Sequence, residues 1–162
     1  MTGEPWAVPL REARLSSFLA ADRNTSADTD SEMLEAFSHR CESIMKYVYR
    51  NQHGEANLYE RFIRYDQKNP DKAEVGAVHF SPNSLIDYDW GNRTRVLSYC
   101  RNWEKFPDLS GPAAQVDCSE WGNGDIRLHH QWWLKHMPHL SGDFQGIAYN
   151  WWQYVVDPNT VK

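Results

Sequence analysis

The chain has 162 residues, a formal net charge of −5, eight tryptophans and an aromatic content of 14%. This length suits one domain that buries roughly 70% of its unfolded surface, and the aromatic content excludes a fully disordered chain. The negative charge argues against a general binder of nucleic-acid backbones, since such domains carry a basic field. No apolar run approaches the roughly 18 residues of a membrane-spanning helix, so we expect no membrane partner.

Residues 1–30 are predicted to hold a short helix and a linker. Apolar residues recur on one side of the segment 9–21, and Pro9 suits its first turn. Residues 22–30 (DRNTSADTD) are small and polar, which is typical of a mobile linker. We therefore expect a single globular domain over residues 31–162.

The clearest helix of the sequence follows this linker. Thr29 and Glu32 form a capping-box pattern, and Gly54 can end the helix in the left-handed conformation. Its apolar residues recur at helical spacing: Met33, Phe37, Cys41, Ile44 and Val48. A second helix, at about residues 56–67, is expected to pack antiparallel against the first, as a scaffold rather than a site.

Two short segments are predicted to be β-strands, residues 75–80 (VGAVHF) and 85–90 (LIDYDW). In the second, alternation places Asp87 and Asp89 on one face. Two carboxylates on such a face would lie roughly 7 Å apart, which is compatible with the acid and base of an inverting glycosidase. A solvated strand face is the interpretation that we favour for this pair.

Two further helices are predicted in the C-terminal part of the chain. Asp125 is a favoured N-cap residue, and Pro138 ends the first of these helices. The last helix covers about residues 144–156. Together these elements predict an α+β fold that is mainly helical, with four to five helices and a small β-hairpin or short sheet.

Cysteine content and the N-terminal residues bear on the cellular compartment. Cys41, Cys100 and Cys118 leave at least one thiol unpaired and form no close metal-binding pair. Reduced buried thiols are the favoured interpretation, and a Cys100–Cys118 disulfide is the alternative for an exported protein. Residues 1–9 lack a basic region followed by an apolar core, so we expect a cytoplasmic protein, with secretion after removal of a signal as the alternative.

The most unusual chemistry of the sequence lies between residues 117 and 157, where five of the eight tryptophans and four of the seven histidines occur. On the predicted helix, Asp125 and His129 are four residues apart and are therefore neighbours. His136 shares that face, but seven residues at about 1.5 Å rise separate it from His129 by roughly 10 Å. Because a zinc–nitrogen bond is only about 2.1 Å long, we do not expect one ion to bind both histidines directly.

Asp125, His129 and His136 are our predicted catalytic residues. A histidine enclosed by tryptophans has its pKa shifted by desolvation, which is one way in which active sites tune this group. A metal would need donors from other parts of the chain. The candidate ligands of a divalent metal such as zinc are His79, His139 and Asp89.

The leading functional hypothesis is a small soluble enzyme, a hydrolase or lyase, acting on a small molecule or glycan. It would use histidine acid–base chemistry or a His/Asp-bound metal in a cleft walled by Trp132 and Trp133. The first alternative is a carbohydrate-binding module in which Trp151, Tyr149 and Asn150 contact the sugar. The second is a protein-interaction domain. The sequence contains no Gly-x-Ser-x-Gly, phosphate-loop or dinucleotide-binding motif that would specify a mechanism.

Overall fold

The fold was analysed in a computed structural model, which describes residues 26–161. The predicted helix at 9–21 and the first part of the linker lie outside these residues. The described α-helices are α1 (Ser26–Val48), α2 (Leu58–Phe62), α3 (Ile126–Lys135) and α4 (Trp152–Val156). Short 3-10 turns occupy Gly54–Ala56, Cys100–Lys105, Cys118–Trp121 and Pro158–Thr160.

Two small antiparallel sheets complete the architecture, so the predicted α+β, mainly helical class is confirmed. Strand β1 (Val96–Ser98) pairs with β2 (Ala114–Val116), with Leu97 opposite Gln115. Strands β3 (Asp143–Phe144) and β4 (Ile147–Ala148) form a short hairpin. None of the helices within residues 26–161 is long and apolar enough to cross a membrane.

Helix α1 is the longest element among residues 26–161, and its C-terminal half lies against the core. Cys41, Ile44 and Met45 are buried, whereas Met33 and Phe37 near its start are exposed. In the predicted apolar stripe, Cys41 and Ile44 are therefore buried, Val48 is partly buried, and the first two members are exposed. The helix also includes residues 26–30, which the sequence analysis assigned to the linker.

Helix α3 follows the sequence prediction closely. The side chain of Asp125 accepts a hydrogen bond from the Leu128 backbone N–H at 2.9 Å, as an N-cap residue does. The helix ends at Lys135, three residues before Pro138. Helices α1 and α3 pack against each other.

The two strands predicted at 75–80 and 85–90 are wrong, because both segments form turns. Gly76 has a φ of 85°, and the backbone of Ala77 exchanges hydrogen bonds with Phe80. The N–H of Tyr88 then donates to the carbonyl of His79 at 3.1 Å, so the second segment folds back over the first. Neither segment pairs with a strand of the described chain, and an alternating pattern alone cannot supply that partner.

Two predicted helices are shorter than expected. The second helix covers only Leu58–Phe62, after which the chain turns and the N–H of Asp66 donates to the Pro82 carbonyl. The last helix covers only Trp152–Val156. Its predicted first half forms the β3–β4 hairpin instead, because Gln145 and Gly146 adopt φ values of 54° and 80°, which a helix does not allow.

Aromatic rings form a large part of the core. The ring of Phe62 lies between 5.0 and 5.4 Å, centroid to centroid, from the rings of Trp103, Trp133 and Trp151. Edge-to-face pairs of this kind stabilise a fold by about 0.5–1.5 kcal/mol each beyond the burial of their area. The indole N–H of Trp133 donates to the Gly76 carbonyl at 2.8 Å, so the core also fixes the turn that precedes His79.

Candidate metal centre

Helix α1 presents three ionisable side chains on one side. Glu35, His39 and Glu42 follow at intervals of four and three residues, which places them one above the other along the helix surface. The turn at residues 76–80 faces this side and contributes His79. Its position is fixed because the backbone N–H of Val78 donates to the Glu42 carboxylate at 3.2 Å.

Ligand atoms of three of these residues converge. Glu35, His39 and His79 each offer one atom within 4.8 Å of the other two, and we call these three residues the candidate metal centre. The Nε2 atoms of His39 and His79 are 2.8 Å apart. The Oε1 atom of Glu35 lies 3.3 Å from the Nε2 of His79 and 3.9 Å from that of His39.

These separations suit a metal ion. Ligand atoms of a tetrahedral zinc ion with bonds of about 2.0–2.1 Å lie about 3.3 Å from one another. The three observed separations, 2.8, 3.3 and 3.9 Å, are distributed around that value. Little movement of the side chains is therefore needed to bind one ion at equal distances.

A carboxylate stands behind each histidine of the candidate metal centre. The Nδ1 atom of His39 hydrogen-bonds to Glu42 Oε2 at 3.1 Å, and Asp87 Oδ1 lies 3.3 Å from Nδ1 of His79. The hydrogen-bonded Glu42 can keep the proton of its imidazole on Nδ1, which leaves Nε2 of His39 free to bind a metal. At 2.8 Å the two Nε2 atoms share a hydrogen bond when no metal is bound, and a metal ion between them would take the place of that proton.

The hydrogen bond between His39 and Glu42 shifts the pKa of both groups. Although burial alone would raise it, the pKa of Glu42 is held below its ordinary value by hydrogen bonds from His39 and from the Val78 N–H. The pKa of His39 is raised, mainly by its hydrogen bond to Glu42 and against the effect of burial. Both shifts favour the charged forms.

Tyr88 lies directly over the centre. Its hydroxyl is 3.0 Å from Glu35 Oε1 and 3.0 Å from His79 Nε2, and its ring lies 4.4 Å from the His79 ring. Loss of solvation, followed by the hydrogen bond to Glu35, raises the pKa of Tyr88 to about 12. The phenol therefore keeps its proton and donates a hydrogen bond to the Glu35 carboxylate.

Behind Tyr88 lies a group of buried rings. Trp90 contacts Tyr88 edge-on at 5.0 Å, stacks on His129 at 5.2 Å and meets His130 at 5.4 Å. Both histidines are fully buried, and burial lowers the pKa of each. Neither ring nitrogen of His129 has a hydrogen-bond partner among the described residues.

The three predicted catalytic residues do not form one constellation. The carboxylate of Asp125 caps α3 instead of contacting His129. His136 is fully buried, with Nδ1 2.7 Å from the Trp132 carbonyl oxygen. None of the three belongs to the candidate metal centre, although His129 lies close enough to His79 for their charges to interact.

The three candidate metal ligands named from the sequence lie in different places. His79 belongs to the candidate metal centre. His139 is exposed, with Nδ1 3.3 Å from the Met137 carbonyl oxygen. Asp89 accepts hydrogen bonds from Ser84 and Asn92 at 3.0 Å each and thereby holds a local turn.

The predicted substrate-binding aromatics are largely internal. Trp132, Trp133 and Trp151 are all buried, the last with 1% of its surface exposed. Tyr149 packs edge-on against Phe106, and the Asn150 side chain accepts a hydrogen bond from the Trp152 N–H. Three of the five predicted residues are therefore buried, and Tyr149 and Asn150 are partly exposed.

Sequence reasoning missed Glu35 and His39. A signal was present, because Glu35-x-x-x-His39-x-x-Glu42 puts a carboxylate, an imidazole and a second carboxylate on one face of a confidently predicted helix. The pattern was passed over because the helix was interpreted as a scaffold. The third ligand, His79, lies 40 residues further along the chain, and no local spacing connects it to this face.

Comparison with known proteins adds no relative: no protein-family model, curated protein or solved structure matches the chain.

Proposed function

We propose that the protein is a zinc-dependent hydrolase whose metal is bound by Glu35, His39 and His79. The observation that carries this proposal is the convergence of two Nε2 atoms and one carboxylate oxygen, with a further carboxylate behind each imidazole. Two histidines and one glutamate form a ligand set found at catalytic zinc ions, which keep a further position for water or substrate.

Bound zinc would supply Lewis acidity, lowering the pKa of a coordinated water to about 7. The chain's own residues prepare the site for it. Glu42 and Asp87 orient the two imidazoles and increase their basicity, while Glu35 contributes the one negative charge in direct contact. The fold thus arranges the ligands before the ion arrives, which reduces the entropy lost on binding.

The candidate metal centre is accessible from solvent. Glu35, His39 and His79 are partly buried, and the neighbouring turn carries exposed Leu85 and Ile86. A substrate can therefore approach the ion from the side of this turn, where apolar side chains can contact its apolar part. Such an open position distinguishes a catalytic zinc site from a closed structural one.

Metal binding is the first test. After zinc loading and dialysis we expect about one ion per chain by elemental analysis, as three-ligand sites of this type hold one ion. His39→Ala and His79→Ala should each lose at least about 100-fold in zinc affinity, more than loss of an outer partner costs. His53→Ala and His139→Ala, which change exposed histidines outside the centre, are the matched controls. Equal affinity in all four variants would overturn the assignment of the ligands.

Hydrolysis is the second test. Chromogenic carboxyl-ester, amide, phosphoester and glycoside substrates should reveal a turnover that a chelator abolishes and added zinc restores. His79→Ala should lack this turnover, and His139→Ala should keep it. Tight zinc binding without turnover on any of the four substrate classes would leave a metal-binding protein and refute the hydrolase.

A further inference from the structure

Tyr88 is held at the candidate metal centre by an unusual backbone. Its φ is 62°, in the left-handed region that non-glycine residues rarely occupy. Ring contacts with His79 at 4.4 Å and Trp90 at 5.0 Å keep the side chain in place. Backbone conformations of this kind persist where the surrounding structure fixes them, and they cluster at functional sites.

The hydroxyl of Tyr88 lies beside two ligand atoms of the candidate metal centre. It lies 3.0 Å from Glu35 Oε1 and 3.0 Å from His79 Nε2. These two distances, like the 2.8, 3.3 and 3.9 Å separations among the other three atoms, are close to the separation of about 3.3 Å expected between ligand atoms of a four-coordinate zinc ion. The hydroxyl is therefore near enough to Glu35 and His79 to bind the same ion.

We propose that Tyr88 is the fourth zinc ligand in the resting protein, an inference that rests on the proposed function. On binding, the phenol O–H bond breaks, the proton leaves to solvent, and an oxygen lone pair forms the bond to zinc. The hydrogen bond that Tyr88 donates to Glu35 is lost at the same time, because both oxygens then face the ion.

Tyr88 is also the ligand that can leave. Its side chain is 48% exposed, whereas His39 and His79 are each supported by a carboxylate behind the ring. Tyr88 has no such support, because its carboxylate neighbour, Glu35, is itself a ligand. Water or substrate can therefore replace the phenolate without disturbing the other three ligands, which reconciles a four-ligand resting state with an open catalytic position.

Tyr88→Phe tests this inference, because it removes the hydroxyl and keeps the ring contacts. Zinc titration of the full chain should produce the near-ultraviolet absorbance of tyrosinate, and the variant should lack it. Calorimetry in buffers of different ionisation enthalpy should show about one proton fewer released by the variant. Zinc affinity should fall by at least about tenfold, since even outer partners of a metal ligand contribute 10–100-fold.

Tyr99→Phe is the matched control, and it should keep both the tyrosinate signal and the zinc affinity. The contradicting result is that the original chain and Tyr88→Phe bind zinc with equal affinity and equal proton release, without a tyrosinate signal in either. That result would refute Tyr88 as a ligand and leave the three-residue site intact. Failure of the original chain to bind zinc would overturn the proposed function and this inference with it.

Discussion

The carboxylates behind His39 and His79 differ in their surroundings. Glu42 is 9% exposed and also accepts the Val78 N–H, so it links α1 to the turn that carries His79. Asp87 is exposed, and its Oδ1 atom lies 3.3 Å from Nδ1 of the His79 ring. Under the proposed function, Glu42 would therefore support both the fold and the metal site, whereas Asp87 would support the metal site alone.

Asp87→Asn should weaken zinc binding by about 10–100-fold without lowering the free energy of unfolding of the metal-free protein. The physical reason is that the asparagine amide lacks the negative charge with which Asp87 supports the imidazole of His79. Competition with a chromophoric chelator measures the affinity, and urea denaturation measures the stability. Asp143→Asn, an exposed aspartate of the β3–β4 hairpin, is the matched control, and an equal loss in that variant would refute the role of Asp87.

At the scale of elements, the converging side chains lie on α1, whereas the catalytic residues predicted from the sequence lie on or next to α3. Helix α1, predicted as a scaffold, carries two of the three converging ligands, Glu35 and His39. Helix α3, predicted to hold the catalytic residues, is fixed by its Asp125 cap and buries His129 against Trp90. The face of a helix that carries polar groups is visible in the sequence, but the element opposite that face is not.

Asp125→Ala should cost about 0.5–2 kcal/mol of unfolding free energy, because it removes the N-cap of α3. Zinc affinity and turnover should remain unchanged. Asp125→Ser is the conservative partner, and it should restore most of the stability because serine also caps. Loss of turnover in a stable Asp125→Ser protein would favour the catalytic role predicted from the sequence over the structural one.

At the scale of the whole molecule, the interior holds neutral histidines. Burial lowers the pKa of His129, His130 and His136. For a histidine with a depressed folded-state pKa, the unfolded chain binds more protons once the pH falls below the unfolded value of about 6.5. The part of the free energy of unfolding that depends on these histidines being neutral is therefore fully present above that pH and is lost as the pH falls below it.

We accordingly expect the free energy of unfolding to fall as the pH is lowered from about 6.5 to 5, each such histidine adding up to about 1.4 kcal/mol per pH unit. His129→Leu should reduce this change of unfolding free energy with pH. The slope can be compared between variants even where their free energies of unfolding differ. Urea denaturation at several pH values measures the slope in metal-free protein. His53→Gln, at an exposed position, should leave it unchanged, and an unchanged slope in His129→Leu would contradict the expectation.

The sequence predicted best where the determining contacts are local. The α3 boundaries followed from Asp125 and Pro138, and the body of α1 followed from its apolar spacing. It failed at residues 75–80 and 85–90, where alternation resembled strands but no partner strand exists in the described chain. Of the candidate metal centre, it named His79 and passed over Glu35 and His39, whose spacing was nevertheless readable.

The amino-acid sequence by itself determined the two principal helices and the aromatic composition of the core, because capping, helical periodicity and hydrophobicity act between near neighbours. Only the tertiary structure decided which histidines are neutral and buried and which converge. His39 and His79 are 40 residues apart, yet their Nε2 atoms lie 2.8 Å from each other. That contact exists because the turn after Gly76, fixed by the Trp133 indole, lies against α1.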